Sequence, residues 1–162
     1  MIRRRDQRLP EQVHDLLRQS HASVATAESL TGGNLAALFT STPGSSKTFL
    51  GGVVSYATEV KVDVVGVPAE VVERHGVISA ECASSMAEGV RALLRADLGI
   101  STTGVAGPDR QEGHPAGTVF IAVASAAGTE VRALELSGSR GEIVDATCRE
   151  ALNLALEQLG SR

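Results

Sequence analysis

Val13, Leu16 and Leu17 recur at helical spacing between Pro10 and Gln19, so the chain opens on an amphipathic helix. The period then changes. Residues 22–27 (Ala-Ser-Val-Ala-Thr-Ala) read as a short buried strand that stops at Glu28-Ser29-Leu30-Thr31-Gly32-Gly33. A second helix follows over Asn34 to Phe39, closed by the turn residues Ser41-Thr42-Pro43-Gly44. The apolar stretch 49–56 is the next strand. Thr58 to Val65 reads as a short helix stopped by Gly66-Val67-Pro68, and Ala69 to Arg74 as another, with Gly76 as its C-terminal cap. Ser79, a favoured N-cap type, starts a long helix that runs to about Arg95. Residues 97–103 form a strand leading into Gly104-Val105-Ala106-Gly107-Pro108. Residues 117–126 and 129–137 form a hairpin joined at Ala127-Gly128, and a last helix occupies Glu142 to Leu159.

Strands alternating with helices and then closing in a hairpin predict an α/β fold: a three-layer α/β/α sandwich with a mixed, mostly parallel sheet of about five strands. At 162 residues the chain fits one domain over 1–162, in which 1–9 is expected to be a loosely ordered extension. Hydrophobic residues make up 43% of the chain but aromatics only 2%, so the core must be built from Ala, Val, Leu and Ile. Such small side chains let helices lie close on a sheet.

A net charge of -4, with no basic run beyond Arg3-Arg4-Arg5, argues against general nucleic-acid binding. That trio is followed by Asp6 and Gln7, not by the apolar stretch of a secretory signal. No segment approaches the roughly 20 apolar residues needed to cross a bilayer. The expectation is a cytoplasmic protein that contacts neither membrane nor nucleic acid. Cys82 and Cys148 both fall in helical segments and read as lone buried thiols. The four histidines lack the short spacings of a metal site, so neither a metal nor another cofactor is expected.

Two loops could carry chemistry, because each follows an apolar strand and is rich in glycine and small hydroxyl residues. In open α/β sheets ligands bind beyond the carboxyl ends of the strands, where helix N-termini offer free N–H groups. Ser29, in the first loop, either caps the following helix or attacks a carbonyl whose oxyanion the N–H groups around Leu30 to Gly33 would hold. In the second loop, Gly104 and Gly107 either let backbone N–H groups approach a phosphate or nucleotide, or make a tight turn. Gly44-Ser45-Ser46-Lys47-Thr48 is not a P-loop, since Ser46 stands where that motif demands Gly. A nucleophilic serine needs a base. Lys61 sits among Val60, Val62, Val64 and Val65; it is either a solvated helix residue or an amine made neutral by desolvation. Tyr56, the one tyrosine, closes a strand.

The segment Thr26-Ala27-Glu28-Ser29-Leu30-Thr31-Gly32-Gly33 resembles the TAES-x-TGG motif of the CinA C-terminal-domain family. Further segments are similar to family motifs in the same order: Pro43 to Ser46, Phe49 to Tyr56, Glu59-Val60-Lys61, His75 to Ser79, Thr103 to Pro108, and Ser137 to Arg140. The likeness runs from about residue 11 to 159. It implies a three-layer fold and, as in the family's nicotinamide-nucleotide amidases, hydrolysis of nicotinamide mononucleotide to nicotinate mononucleotide and ammonia, with Ser29 as nucleophile. By the same resemblance Lys61 is the general base and Tyr56 assists. Thr31, Gly32, Gly33, Ser45, Ser46, Thr103, Gly104, Gly107 and Arg140 then bind substrate, and the chain forms a homo-oligomer. Arg140 suits a phosphate because its planar fork makes two charge-assisted bonds. Leu30 and Thr58 depart from the family's usual Cys and Asn. The stretch Pro108 to Pro115 departs further, being about two residues short, without paired glycines, and with His114 at the usual Lys place. That loop motivates an alternative, a non-catalytic pyridine-nucleotide-binding module. The family's history supplies another, a partner-binding role in DNA uptake or repair.

Overall fold

The computed structural model describes residues 8–161. In chain order the elements are α1 (Leu9–Gln19), β1 (Val24–Glu28), α2 (Asn34–Thr40), a 3-10 turn (Ser45–Lys47) and β2 (Phe49–Val54). Then come α3 (Thr58–Val60), which runs into a π-helical turn (Lys61–Val65), α4 (Ala69–His75) and α5 (Ala80–Leu94). The chain closes with β3 (Leu98–Gly104), β4 (Thr118–Ser125), β5 (Gly128–Glu135) and α6 (Arg140–Gly160). Most of the expected 1–9 extension lies outside the described residues, but Leu9 already belongs to α1.

The five strands form one sheet in the order β2-β1-β3-β4-β5. β1 pairs in parallel with both β2 and β3, while β4 is antiparallel to β3 and β5. Only β4 therefore runs against the rest, which is the mixed, mostly parallel sheet expected. Strand β1 has a neighbour on each side and is buried along its whole length. Helices α1, α2 and α6 cover one face, where Val13, Leu17, Leu35, Phe39 and Leu152 pack on Val24, Ile100 and Ile121. Helix α5, with the π turn and α4, covers the other, setting Met86, Val90 and Val65 against Ala25 and Ala27.

An aromatic-poor core works because backbones come close. A Cβ added at Gly99 of β3 would overlap the Ala87 carbonyl oxygen of α5, and one at Gly89 of α5 would overlap the Val65 carbonyl oxygen. Helix α5 is thus held against strand on one side and the π turn on the other, with nothing larger than hydrogen between them. Ser79 caps α5 by accepting the Cys82 N–H, and Gly76 ends α4 at φ +74°, both as the sequence predicts. Cys82 and Cys148 are buried and unpaired.

Several boundaries differ from expectation, β2 for one ending at Val54 and not at Tyr56. Strand β1 starts at Val24 and takes in Glu28. Thr58 to Val65 is one short α turn followed by a π turn, not a single α-helix. The hairpin turns at Ala126-Ala127, with Gly128 opening β5 opposite Ser125. Helix α6 starts at Arg140, two residues early, because Ser139 and Glu142 form a capping box there.

Candidate active site

β1, β2 and β3 are parallel and in step, with Glu28 opposite both Val54 and Thr102, so the residues that follow them emerge together at one edge of the sheet. A cleft of about 360 Å³ opens there. Ser29, Leu30, Tyr56, the loop Gly104 to Gln111, and Arg140 line it.

Ser29 is held by its backbone. Its N–H donates to the Thr102 carbonyl at 2.9 Å, and its carbonyl accepts the Gly32 N–H at 3.0 Å. Gly32 and Gly33 have φ of +57° and +101°, the left-handed region that glycine enters without steric cost. Glu28, buried directly before Ser29, braces the turn from within. Its carboxylate accepts the Thr31 hydroxyl at 2.6 Å and the N–H groups of Leu35 and Ala36 at 2.8 and 3.0 Å. The acid thus caps α2, where Gly33, the residue in the N-cap position, has no side chain to do so. Sequence reading treated Glu28 as an ordinary loop residue; an acid ending an apolar run just before a helix was the available signal. Of the N–H groups expected to be free around Leu30 to Gly33, that of Gly32 is occupied. Among the described residues, those of Leu30 and Thr31 meet no protein acceptor.

Lys61 enters from the first position of the π turn and is only 1% exposed. Its Nζ lies 2.6 Å from the Ser55 carbonyl oxygen, 3.2 Å from that of Tyr56 and 3.0 Å from Ser29 Oγ. Carbonyl oxygens can only accept. A neutral amine therefore gives its two N–H groups to Ser55 and Tyr56, and its lone pair is left for the Ser29 hydroxyl proton. Burial lowers the Lys61 pKa below the usual lysine range, against an opposing pull from Cys82 and Glu112. The same burial pushes the Cys82 thiol up to about 11.

The other anticipated residues divide. Arg140, first in α6, spans the cleft mouth: Nη1 donates to the Gly107 carbonyl at 2.6 Å and Nη2 to the Tyr56 hydroxyl at 3.1 Å. Gly104 and Gly107 line the cleft, but a Cβ there would meet the Thr118 carbonyl oxygen and the Ala116 side chain respectively. Packing of the loop accounts for both glycines without a ligand. Thr31 is buried, spending its proton on Glu28 and standing 2.8 Å from Thr102 Oγ1. Thr103 does not reach the cleft either. Its side chain leaves β3 on the face opposite Thr102 and donates to the Val77 carbonyl at 2.6 Å. Ser45 and Ser46 lie on the turn before β2, at the far end of that strand from Ser29. Six strand residues span about 20 Å, so these serines are not part of the same cleft within one chain.

The shortened loop folds on itself. Gln111 and His114 exchange backbone hydrogen bonds of 3.1 and 2.8 Å around Glu112-Gly113, whose φ values are both positive. Arg110 donates to the Gly113 carbonyl at 2.5 Å, and Glu112 accepts the Val77 N–H at 3.1 Å. Arg110 is thereby spent within the loop, and Glu112, which sequence reading passed over, ties the loop to the segment preceding α5.

The model of the CinA C-terminal domain matches residues 6–159. A putative competence-damage inducible protein of Listeria welshimeri is 51% identical over 127 residues, covering 78% of this chain and 30% of that protein. One from Desulforudis audaxviator is 44% identical over 151 residues, covering 92% of this chain and 37% of that protein. The chain thus spans about a third of the length of these curated relatives. Among solved structures, a competence-damaged protein (CinA) superfamily protein from Klebsiella pneumoniae superposes with a TM-score of 0.94 at 32% identity, covering 97% of this chain and 99% of that one. With the fold, the order of the motifs and the family match in agreement, the chain belongs to the CinA C-terminal domain family.

Proposed function

We propose that this chain is an amidohydrolase that removes ammonia from the carboxamide of nicotinamide mononucleotide, with Ser29 as nucleophile and Lys61 as base. The observation that carries this reading is the Lys61 amine, buried and anchored by two carbonyls, with its remaining valence directed at the Ser29 hydroxyl. Neutral Lys61 takes the hydroxyl proton as Ser29 Oγ bonds to the carboxamide carbon. The oxygen of that group becomes an oxyanion, which the N–H groups of Leu30 and Thr31 are free to hold; one such donor contributes about 3–4 kcal/mol. The Lys61 ammonium returns its proton to the leaving nitrogen, and ammonia departs as the C–N bond breaks. Water, deprotonated by the same amine, then cleaves the Ser29 ester and releases the carboxylate product. Arg140, at the mouth, is the cation available to a substrate phosphate.

A coupled assay of ammonia release from nicotinamide mononucleotide tests the reading. Turnover by the unaltered protein and none by Ser29→Ala supports it. Binding of the nucleotide with no ammonia released by the unaltered protein would replace it with a binding module.

A further inference from the structure

Asp109, Arg110 and Gln111 form one wall of the cleft and are exposed. Little fixes that wall. Among the described residues, the hydrogen bonds of residues 108–114 stay within that stretch, with one exception. The exception is Glu112. Its Oε2 accepts the Val77 N–H at 3.1 Å and the Ile78 N–H at 3.4 Å, in the segment that leads into α5. A Cβ at Gly76 would lie 2.5 Å from that oxygen, so the bare backbone at position 76 is what admits the carboxylate.

The turn alone does not call for a glutamate. Gln111 and His114 pair through their backbones around Glu112 and Gly113, whose φ values are +49° and +78°. A two-residue turn with both central residues left-handed favours Asn-Gly or Asp-Gly, since short polar side chains tolerate that backbone. Glu112 thus occupies a position where the turn prefers a shorter residue, and its extra methylene is spent on reaching Val77 and Ile78. Backbone strain of this kind persists where surrounding contacts hold it in place.

The contact closes a ring. β3 runs through Thr103 into the loop, Glu112 near the loop's far end takes the Val77 N–H, and the Val77 carbonyl accepts the Thr103 hydroxyl at 2.6 Å. Thr103 follows Thr102, whose carbonyl accepts the Ser29 N–H at 2.9 Å. The wall is therefore anchored to the same strand that fixes Ser29. We infer that Glu112 is a positioning residue, which ties the wall Asp109–Gln111 to the segment before α5 and so holds the cleft in the shape that receives substrate. The tie lies in the stretch where this chain departs from the family's motif. That the wall meets a nucleotide rests on the amidase reading; the tie does not.

Limited digestion of the full chain with trypsin reads the tie without any substrate. Cleavage after Arg110 requires the wall to open, and its rate follows the open population when closing outpaces cleavage. Glu112→Asn suits the turn better but is uncharged and one methylene short. Its cleavage after Arg110 should quicken about tenfold, the worth of a hydrogen bond to a charged group. Glu112→Gln keeps the reach and one acceptor oxygen, so its rate should stay within about threefold of the unaltered chain's. A rate in Glu112→Asn equal to or below that of the unaltered chain would overturn the tie and leave Glu112 a turn residue only. With nicotinamide mononucleotide, KM should rise about tenfold in Glu112→Asn, kcat changing far less, and return most of the way in Glu112→Gln. An opened loop with unchanged KM would overturn the positioning role. Absence of ammonia release by the unaltered protein would sink the amidase reading, and the trypsin comparison would still decide the tie.

Discussion

Lys61 and Ser29 lie 32 positions apart in sequence and 3.0 Å apart in space. The contact depends on the π turn, which starts at Lys61 and sends its side chain back under the end of β2. If the two groups act as a unit, removing either should remove the same catalysis. Lys61→Met, which keeps the length and loses the amine, should lower kcat by about a thousandfold or more, as should Ser29→Ala. The double variant should be no worse than either single one, as expected for residues that act together. Ammonia release under saturating substrate measures all three, and strictly multiplicative losses would show that the pair does not act together.

The same amine sets the pH profile. A base must be neutral to accept a proton, so kcat/KM should rise with pH through the Lys61 pKa, which burial holds below the usual value of about 10.4. Stability should follow in the same direction. Between the folded and unfolded pKa values the unfolded chain binds the extra proton, so stability increases with pH across that window and is lost as pH falls through the folded value. Urea midpoints recorded against pH should lose that part of their slope in Lys61→Met. A profile identical in the variant would separate the titration from Lys61.

Much of this was legible in the sequence, and the failures have physical causes. Helix and strand identities came from apolar periodicity and from Gly and Pro punctuation, and the motifs around Ser29 and Lys61 marked the cleft. A π turn was not legible, because five residues carry too little periodicity to separate it from an α-helix. Ala126-Ala127 contains none of the usual turn residues, so Gly128 was read as part of the turn when it opens β5. Thr102 and Thr103 are adjacent and both buried, yet the strand's alternation sends them to opposite faces, one to Thr31 and the other to the Val77 carbonyl. Ser45 and Ser46 entered the substrate site through the family resemblance alone. Flanking residues on opposite sides of a strand lie at opposite edges of the sheet, and motif order does not encode that.

Glu28 should matter for both folding and rate. Gln at this position keeps one acceptor oxygen but turns an NH2 group toward the N–H donors of α2, leaving at least one buried donor unsatisfied. The cost is about 1–3 kcal/mol, readable as a lower urea midpoint. The turn that aims the Leu30 and Thr31 N–H groups should loosen as well, so kcat should fall in the folded variant with KM less affected. An unchanged kcat in fully folded Glu28→Gln would confine the residue to capping α2.

Arg140 provides the sharpest test of the substrate. Its fork joins the Gly107 carbonyl to the Tyr56 hydroxyl across the cleft mouth from two separate nitrogens, a planar geometry that the single ammonium nitrogen of a lysine does not reproduce. Because Arg140 is exposed at the first position of α6, Arg140→Lys should fold normally. If the guanidinium binds a phosphate, the substitution forfeits a charged hydrogen bond of about 1.5–3 kcal/mol, or roughly ten- to a hundredfold in KM. The nucleoside that lacks the phosphate should show no such difference between Arg140 and Lys, since the lost contact is absent from both comparisons. Equal losses with the two substrates would assign Arg140 to holding Tyr56 and the loop in place, and the phosphate would have to be sought elsewhere on the rim.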